Sequence, residues 1–514
     1  MELWYAWGDE ADTQSVPPRI AKLLEAALGI EPTPEAAPPS LADVRLGAGS
    51  LSQESLDALS AIVGAAEVRT GHEDRVRHAL GKSTPELLRL RAGDAADAPD
   101  AVVRAGSHDE VLDVLALCGR ERIAVVPYGG GTSVVGGLVA ARDGFAGVLS
   151  LDLGRMDRLV AIDPVSRTAV FEPGVRAPEA ERLLAEQGYT LGHFPQSFEY
   201  ASIGGFAATR SSGQFSLGFG RFDDLVVGLR VATPTGDLTL GRAPRSAAGP
   251  DLRQLFLGSE GALGVITAVT VRVRPVGDLP EVIEGWSFPS FADGVEALRR
   301  IAQDGPQATM LRLSDEFETM TGSSGAEGCL ALAACTPDVA PALRTALAAA
   351  GGTPLGPGPG DDWRQTRYAA PYLRDALLGT GALAETLETA TFWSGLTELY
   401  DGVRTALLSS LADQGTPPVV LCHVSHVYSA GASLYFTIGC RQAEDPVAQW
   451  RHAKQAANRA ILDAGGTITH HHAVGTDHAA AYAEEIGPLG LAALRAVKRE
   501  LDPAGILNPG ILLP

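Results

Sequence analysis

The chain has 514 residues, and 41 Lys and Arg against 62 Asp and Glu give it a formal net charge of −21. With 45% hydrophobic and 20% charged residues it is neither a disordered nor a low-complexity protein. The acidic excess excludes a nucleic-acid binder, whose partner demands a basic surface, and the length predicts about two to four domains or one large intertwined unit.

Five cysteines, Cys118, Cys329, Cys335, Cys422 and Cys440, form no CxxC pair and read as reduced thiols of an intracellular protein. Residues 1–10 lack the cationic and apolar regions of a secretory signal. No run approaches the ~20 apolar residues of a membrane span, and residues 511–514 are no peroxisomal or retention signal. A cytoplasmic location is expected.

Residues 1–95 alternate short helical patterns, at 18–28 and 56–65, with proline joints at Pro32-Thr33-Pro34 and Pro38-Pro39, and predict an N-terminal helical extension. From about residue 100 the texture becomes α/β. A short strand at 101–103 precedes an amphipathic helix over 107–120, whose apolar face carries Val111, Val114, Leu115 and Cys118. A buried strand at 122–127 then runs into Tyr128-Gly129-Gly130-Gly131-Thr132-Ser133. Further strands are expected at 147–153, 159–162, 168–171, 226–233 and 265–274. A Pro-containing passage over 276–290 leads to a second α/β portion, in which 353–360 reads by composition as a loop. Segments 419–426 and 433–439 read as two strands joined by a turn at Ser429-Ala430-Gly431. A helix over 448–464 ends at Gly465-Gly466, and a short strand enters His470-His471-His472. No internal repeat is present.

Three successive glycines after a strand let backbone N–H groups converge on a pyrophosphate where any Cβ would obstruct the approach. The loop is neither GxGxxG nor GxxxxGK[ST], which disfavours Rossmann and P-loop readings; an ordinary Gly-rich turn is the bland alternative. Three further blocks follow: 195–213, with Ser202-Ile203-Gly204-Gly205; 219–227, with Phe219-Gly220 and Asp223-Asp224; and 258–267, with Gly258-Ser259-Glu260-Gly261. In this order the four blocks resemble the FAD-binding (PCMH-type) domain of the vanillyl-alcohol oxidase flavoprotein superfamily. The resemblance implies FAD contacts by Pro127, Tyr128, Gly129, Gly130, Gly131, Thr132 and Ser133, and by Gln196, Ser197, Ser202, Gly204 and Gly205. It extends them to Thr209, Arg210, Ser211 and Ser212, and to Glu260, Gly261, Leu263, Gly264, Val265 and Ile266. Some members tether FAD through a histidine in or beside the glycine loop; Gly130-Gly131-Thr132 offers none, so non-covalent FAD is expected.

Three adjacent histidines on an extended segment point alternately to opposite faces, a poor arrangement for a His₃ zinc site, so no metal is expected. Proton transfer or anion contact suits imidazole better. With the closing Asp502-Pro503-Ala504-Gly505-Ile506, the segment Thr469-His470-His471-His472-Ala473-Val474-Gly475 resembles the alkylglycerone-phosphate synthases. Trp4-Tyr5-Ala6-Trp7-Gly8, Leu311-Arg312-Leu313-Ser314-Asp315, Glu388-Thr389-Ala390 with Trp393, and 427–436 match that family as well. The resemblance implies a catalytic Tyr435, an Arg312 needed for activity and a working His470, His471 and His472. Two departures stand out: Ser394-Gly395 follows Trp393 where Asp-Arg is expected, and His423 replaces a larger basic side chain.

Arg312, in an apolar strand pattern, must be paired or ligand-bound; a structural ion pair and an anion-holding role both remain open. A phenol such as Tyr435 ionises only near pH 10, so work as a base needs a positive neighbour or a hydrogen-bonded imidazole. His423 and His426, three apart on a strand, should face opposite sides. Tyr372 and Arg374 are further pocket candidates.

The expected fold is α+β: an N-terminal helical extension (1–95), a two-subdomain PCMH-type FAD-binding domain (96–275), a cap with an antiparallel sheet (276–460), and a C-terminal segment (461–514) returning to the FAD domain. The family implies replacement of the acyl group of acyl-dihydroxyacetone phosphate by a fatty alcohol, as in ether-lipid synthesis, with no net redox change. The alternative is an FAD-linked oxidase or dehydrogenase of a hydroxy acid or alcohol, and a non-catalytic flavin-storage protein is a distant third. The expected partner is a small-molecule or lipid substrate. A homodimer and a peripheral membrane contact are compatible with the sequence, although the negative charge argues against a polybasic anchor.

Overall fold

The computed structural model describes residues 2–31, 38–139, 141–322 and 325–513; the joint at Pro32-Thr33-Pro34 lies outside them. Three sheets carry the architecture. The first, in order β1-β2-β4-β3, comprises β1 (Val68–Arg69), β2 (Ala101–Arg104), β3 (Ile123–Tyr128) and β4 (Gly147–Asp152). Strands β2, β4 and β3 run parallel, and the helix α1 (His108–Glu121) supplies the crossover between β2 and β3. Its predicted face, Val111, Val114, Leu115 and Cys118, is buried in the core beneath that sheet. Because β1 lies within residues 1–95 and pairs with β2, that stretch is part of the sheet as well as a set of helices.

The second sheet is antiparallel, in order β8-β7-β9-β6-β5, with β5 (Leu159–Asp163), β6 (Thr168–Phe171), β7 (Val226–Thr233), β8 (Gly236–Leu240) and β9 (Val265–Arg272). The third has seven antiparallel strands, ordered β13-β10-β12-β11-β15-β16-β14. They are β10 (Val282–Phe288), β11 (Met310–Ser314), β12 (Cys329–Cys335), β13 (Thr353–Gly356), β14 (Ala382–Phe392), β15 (Val419–Val427) and β16 (Gly431–Arg441).

Side-chain alternation along β16 sorts the two faces of this third sheet. Leu434, Phe436, Ile438 and Cys440 enter the largest core with Leu399, Val403 and Leu407 of the helix α2 (Leu396–Asp413) and Trp450, Ala453 and Ala457 of α3 (Pro446–Asp463). Ser433, Tyr435 and Thr437 point the other way. The C-terminal segment returns to β3: Ile506 accepts from the N–H of Val125 at 2.8 Å, and the N–H of Asn508 donates to Val125 at 2.8 Å.

Two expectations need correction. Residues 353–360 are not a loop: β13 pairs with β10 at the sheet edge, and a helix, Gly358–Thr366, follows. An edge strand tolerates Pro354 because its outward side needs no ladder donor. The approach to the three histidines is no regular strand either; one bridge, Ala390 to Thr467, leads into an irregular segment.

Candidate active site

A long cleft of about 1640 Å³, its open mouth included, runs between the first two sheets and the free face of the third. One half is walled by residues 127–134, Gln196, Ser197, Ser202, Gly204, Gly205, Thr209, Ser211, Glu260, Gly261 and 264–266. The other is walled by Trp7, Ala370, Pro371, Arg374, Thr386, Tyr435, His471 and His472.

The glycine half is shaped by missing side chains. A Cβ on Gly129 would stand 2.5 Å from Ser202 Oγ, and one on Gly130 would stand 2.5 Å from Tyr200 O. Gly131 has φ +68°, a conformation that favours glycine. Bare backbone at this density fits a dinucleotide whose phosphates need N–H donors at close range. Of the residues singled out for FAD, Arg210, Ser212 and Leu263 are absent from the wall. Arg210 pairs with Asp223 at 3.2 Å and donates to Leu257 O at 2.9 Å. Ser212 Oγ lies 3.2 Å from His426 Nδ1, and Leu263 packs into the second-sheet core.

Glu260 joins the C-terminal segment to the cleft, accepting from the N–H groups of Val474 at 2.9 Å and Gly475 at 3.0 Å. Burial raises its carboxyl to about 7 against those two donors.

The cap half is organised by Glu388, on β14 directly opposite Tyr435 of β16. Its carboxylate accepts from the N–H groups of His470 (2.6 Å), His471 (3.0 Å) and His472 (2.8 Å), and from the Thr469 hydroxyl (2.6 Å). Burial opposes ionisation, but the attraction of His471, His472 and His470 as they take up protons in acid, with the Thr469 hydroxyl, outweighs it and holds Glu388 well below the carboxylate range. The histidines themselves are kept neutral by burial: His471 is lowered, and His472 falls to about 3. Burial also pushes Tyr435 up to about 12, against a hydrogen bond with Thr386 that lowers it. Tyr435 is therefore a protonated phenol, and the expected lowering by an imidazole is not seen.

His471 stacks on Tyr435 with centroids 6.1 Å apart, and His472 meets it edge-on at 5.6 Å. His470 turns out of the cleft: its Nε2 shares a 2.7 Å hydrogen bond with Tyr428 Oη, and its Nδ1 lies 3.0 Å from His471 Nδ1. His426 stacks on His470 at 5.0 Å, so ligand atoms of His426, His470 and His471 lie within 4.8 Å of one another. These nitrogens are engaged with each other, with Tyr428 and, at His426 Nδ1, with Ser216 Oγ at 2.9 Å.

His423 and His426 share a face, contrary to the alternation expected for a spacing of three. His423 pairs with Tyr435 and His426 with Ser433, and the register shift between Val424 and His426 adds one residue. A bulge at Ser425 thus restores both imidazoles to the cleft side.

Arg312 does not line this cleft. It donates to Glu318 Oε1 at 2.6 Å and lies 3.0 Å from His423 Nε2, while His423 Nδ1 lies 2.8 Å from Glu318 Oε2. Burial would raise Glu318; His423 and Arg312 prevail and hold it at about 2. His423 stacks on Tyr435 at 5.0 Å, so Arg312 reaches the tyrosine through one ring. Arg312 and Glu318 instead line a second cavity of about 1330 Å³, its open mouth included, whose apolar lining includes Ile20, Leu24, Leu28, Leu373, Leu377 and Leu421. The departure at Ser394-Gly395 lies elsewhere, in a short turn where the Trp393 indole donates to Tyr428 O at 3.2 Å.

Glu388 and Glu318 organise the site yet carried no assigned role at the sequence level. Their signal was a carboxylate beside apolar strands, which must find partners when buried.

Sheets, glycine-walled cleft and cap together define an FAD-linked flavoenzyme. Residues 99–240 match the family described as "FAD binding domain", and residues 280–512 the family "FAD linked oxidases, C-terminal domain"; the cofactor is FAD. The chain is 33% identical over 480 residues to the alkyldihydroxyacetonephosphate synthase of Dictyostelium discoideum, covering 86% of this chain and 77% of that one. It is 32% identical over 510 residues to the enzyme of the same name from Trypanosoma brucei brucei, covering 91% and 82%. A solved alkyldihydroxyacetonephosphate synthase structure superposes with a TM-score of 0.82 at 28% identity, over 99% of this chain and 98% of that one. The chain belongs to the alkyldihydroxyacetonephosphate synthase family. Among the described residues no helix is long and apolar enough to cross a membrane.

Proposed function

We propose that the protein replaces the acyl group of an acyl-dihydroxyacetone phosphate with a fatty alcohol, forming an ether lipid precursor on non-covalent FAD. The observation that carries this reading is the placement of Tyr435, His471 and His472 on one wall of the cleft, with a second cavity lined largely by apolar side chains available to an aliphatic chain. Residues 96–275 and 461–514 would hold the flavin, and 276–460 would form the cap. A cytoplasmic enzyme touching membranes only to collect its substrates fits the same reading.

Bound FAD would supply the electrophilic ring that the exchange requires. The protein's part is positional and acid–base. A neutral imidazole, His471 or His472, is the group able to accept a proton from substrate carbon, since Tyr435 keeps its own. The Tyr435 hydroxyl would donate a hydrogen bond to the substrate oxygen, and the imidazole that took the proton would give it back. Glu388 holds the histidine backbone in register. The Arg312–Glu318–His423 set fixes the ring on which Tyr435 stacks.

The test is incubation of the FAD-loaded protein with acyl-dihydroxyacetone phosphate and a long-chain alcohol, without oxygen, with mass spectrometry of the lipid and the flavin spectrum recorded together. Ether product with an unbleached flavin is expected. Lasting bleaching without ether would make the protein an oxidase or dehydrogenase instead. Acid precipitation should release all the FAD, because among the described residues the loop Gly130-Gly131-Thr132 offers no tethering side chain.

A further inference from the structure

A row of hydrogen bonds leaves the flavin cleft on its cap side. His471 lines the cleft and has its Nδ1 3.0 Å from His470 Nδ1, and His470 Nε2 lies 2.7 Å from Tyr428 Oη. Tyr428 lines a different cavity, of about 940 Å³ with its open mouth included, together with Ser216, Leu217, Asp224 and Gln307. Asp224 and Gln307 are exposed, so this outer cavity reaches water. The two cavities share no lining residue. Two imidazoles and a phenol span the wall between them.

This row has the property that proton conduction needs. A neutral imidazole carries a hydrogen on one nitrogen and a lone pair on the other, so the two bonds of His470 point the same way. Either Tyr428 donates to Nε2 and Nδ1 donates to His471, or His471 donates to Nδ1 and Nε2 donates to Tyr428. Moving one proton across each bond converts the second polarity into the first. A proton received at His471 Nε2 sends the one on its Nδ1 to His470 Nδ1. The Nε2 proton of His470 then passes to Tyr428 Oη, and the hydroxyl's own proton leaves to water in the outer cavity. No ring keeps a charge. Burial, with His471 and Arg221 behind it, lowers His470, and burial with Arg221, against Glu388, lowers His471, so an imidazolium does not settle on the way.

Both ends are fixed. The Tyr428 N–H donates to Gly431 O at 2.8 Å and its carbonyl accepts from Trp393 Nε1 at 3.2 Å, which anchors the residue in the turn between β15 and β16. Glu388 holds the N–H groups of His470 and His471 at the other end. His426 packs on His470 at 5.0 Å with its Nδ1 turned to Ser216 Oγ at 2.9 Å, beside the path and not in it.

The proposed exchange needs such an exit. The ether C–O bond forms, the ester C–O bond to the same carbon breaks, and the acyl group departs with the electron pair as a carboxylate, ionised at neutral pH. The proton borrowed from the substrate carbon is returned to it. The hydroxyl proton of the alcohol is left over, once per turnover, in a cleft that flavin and lipid would fill.

We propose that His471, His470 and Tyr428 carry this proton from the flavin cleft to the outer cavity, with Tyr428 as the exit group. The cargo rests on the proposed reaction; the path rests on the hydrogen bonds.

Two measurements on the FAD-loaded protein test it. Tyr428→Phe keeps the ring and its packing, and His470→Gln cuts the path at its middle should the first variant fail to fold. In dilute buffer, ether formation should fall at least about tenfold in either variant and recover as imidazole buffer is raised, while the parent barely responds. Independently of turnover, NMR of nitrogen-labelled histidines should show the ring N–H of His471 exchanging with water severalfold more slowly in either variant than in the parent. Full activity of the variants in dilute buffer, losses that imidazole leaves unrepaired, or unaltered ring exchange would each overturn the path. Ether synthesis with unaltered exchange would overturn the path alone; exchange slowed in the variants, in a protein that makes no ether, would uphold the path and overturn the reaction.

Discussion

Glu388 and Tyr435 stand opposite each other on adjacent antiparallel strands, and the carboxylate of the one gathers the backbone of the three histidines that surround the ring of the other. Strand register and loop conformation are therefore one arrangement. Glu388→Ala should leave four donors without an acceptor and destabilise the protein by about 3 kcal/mol or more. Thermal unfolding of the FAD-loaded variant measures this; a change below about 1 kcal/mol would mean that the segment is held by other contacts.

Tyr435→Phe keeps the ring stacked on His423 and removes only the hydroxyl. Turnover should fall by about 10³-fold, while FAD affinity and the melting temperature stay close to those of the parent. A loss of FAD in parallel with turnover would assign the hydroxyl to cofactor binding rather than to the substrate oxygen.

Acid should unfold this protein early. Burial depresses His193, His426, His470, His471, His472 and His478 below the ordinary imidazole value, His193 and His472 to about 3. Between the folded value and about 6.5 the unfolded chain binds more protons than the folded one, so stability falls as pH drops through that window. Glu388 and Glu318, depressed among carboxylates, add to the loss at lower pH. The melting temperature should decline steadily below about pH 6.5, and His472→Gln should flatten the slope by close to one proton. A slope that His472→Gln leaves unaltered would contradict the burial assigned to that ring.

Arg312→Gln should weaken the fold before it weakens chemistry. It strands Glu318 as a buried carboxylate with one partner fewer, at a cost of about 3 kcal/mol, whereas Glu318→Gln with Arg312→Gln should recover much of that loss. Unfolding of the single and double variants forms the cycle; full stability with lost turnover in Arg312→Gln would make the guanidinium a direct contact of the substrate.

Gly130→Ala places a Cβ 2.5 Å from Tyr200 O and 2.9 Å from the Ala201 Cα. The purified variant should be nearly colourless, with FAD affinity reduced by about 10²-fold or more, as read by flavin fluorescence. A fully yellow variant would show that the loop can move aside.

The glycine-lined wall of the cleft was legible from residue order alone because a backbone in close contact with its surroundings excludes side chains, and that exclusion is written one residue at a time in Gly129-Gly130-Gly131 and Ser202-Ile203-Gly204-Gly205. The strands β3, β7 and β9 and the helix α1 were legible for a similar reason, since burial on one face leaves a period of two or 3.6 in the chain. Pairing was not. That His423 and His426 share a face follows from an added residue at Ser425, and a bulge leaves no mark in the alternation of a single strand. Arg312 sat in a readable strand, but its choice of Glu318 over a cleft ligand depended on a neighbouring helix. The convergence of Glu388 on three later backbone N–H groups joins segments some 80 residues apart, and such a contact is settled by how sheets and loops pack, where the free energy of satisfying a buried charge is collected from the whole fold.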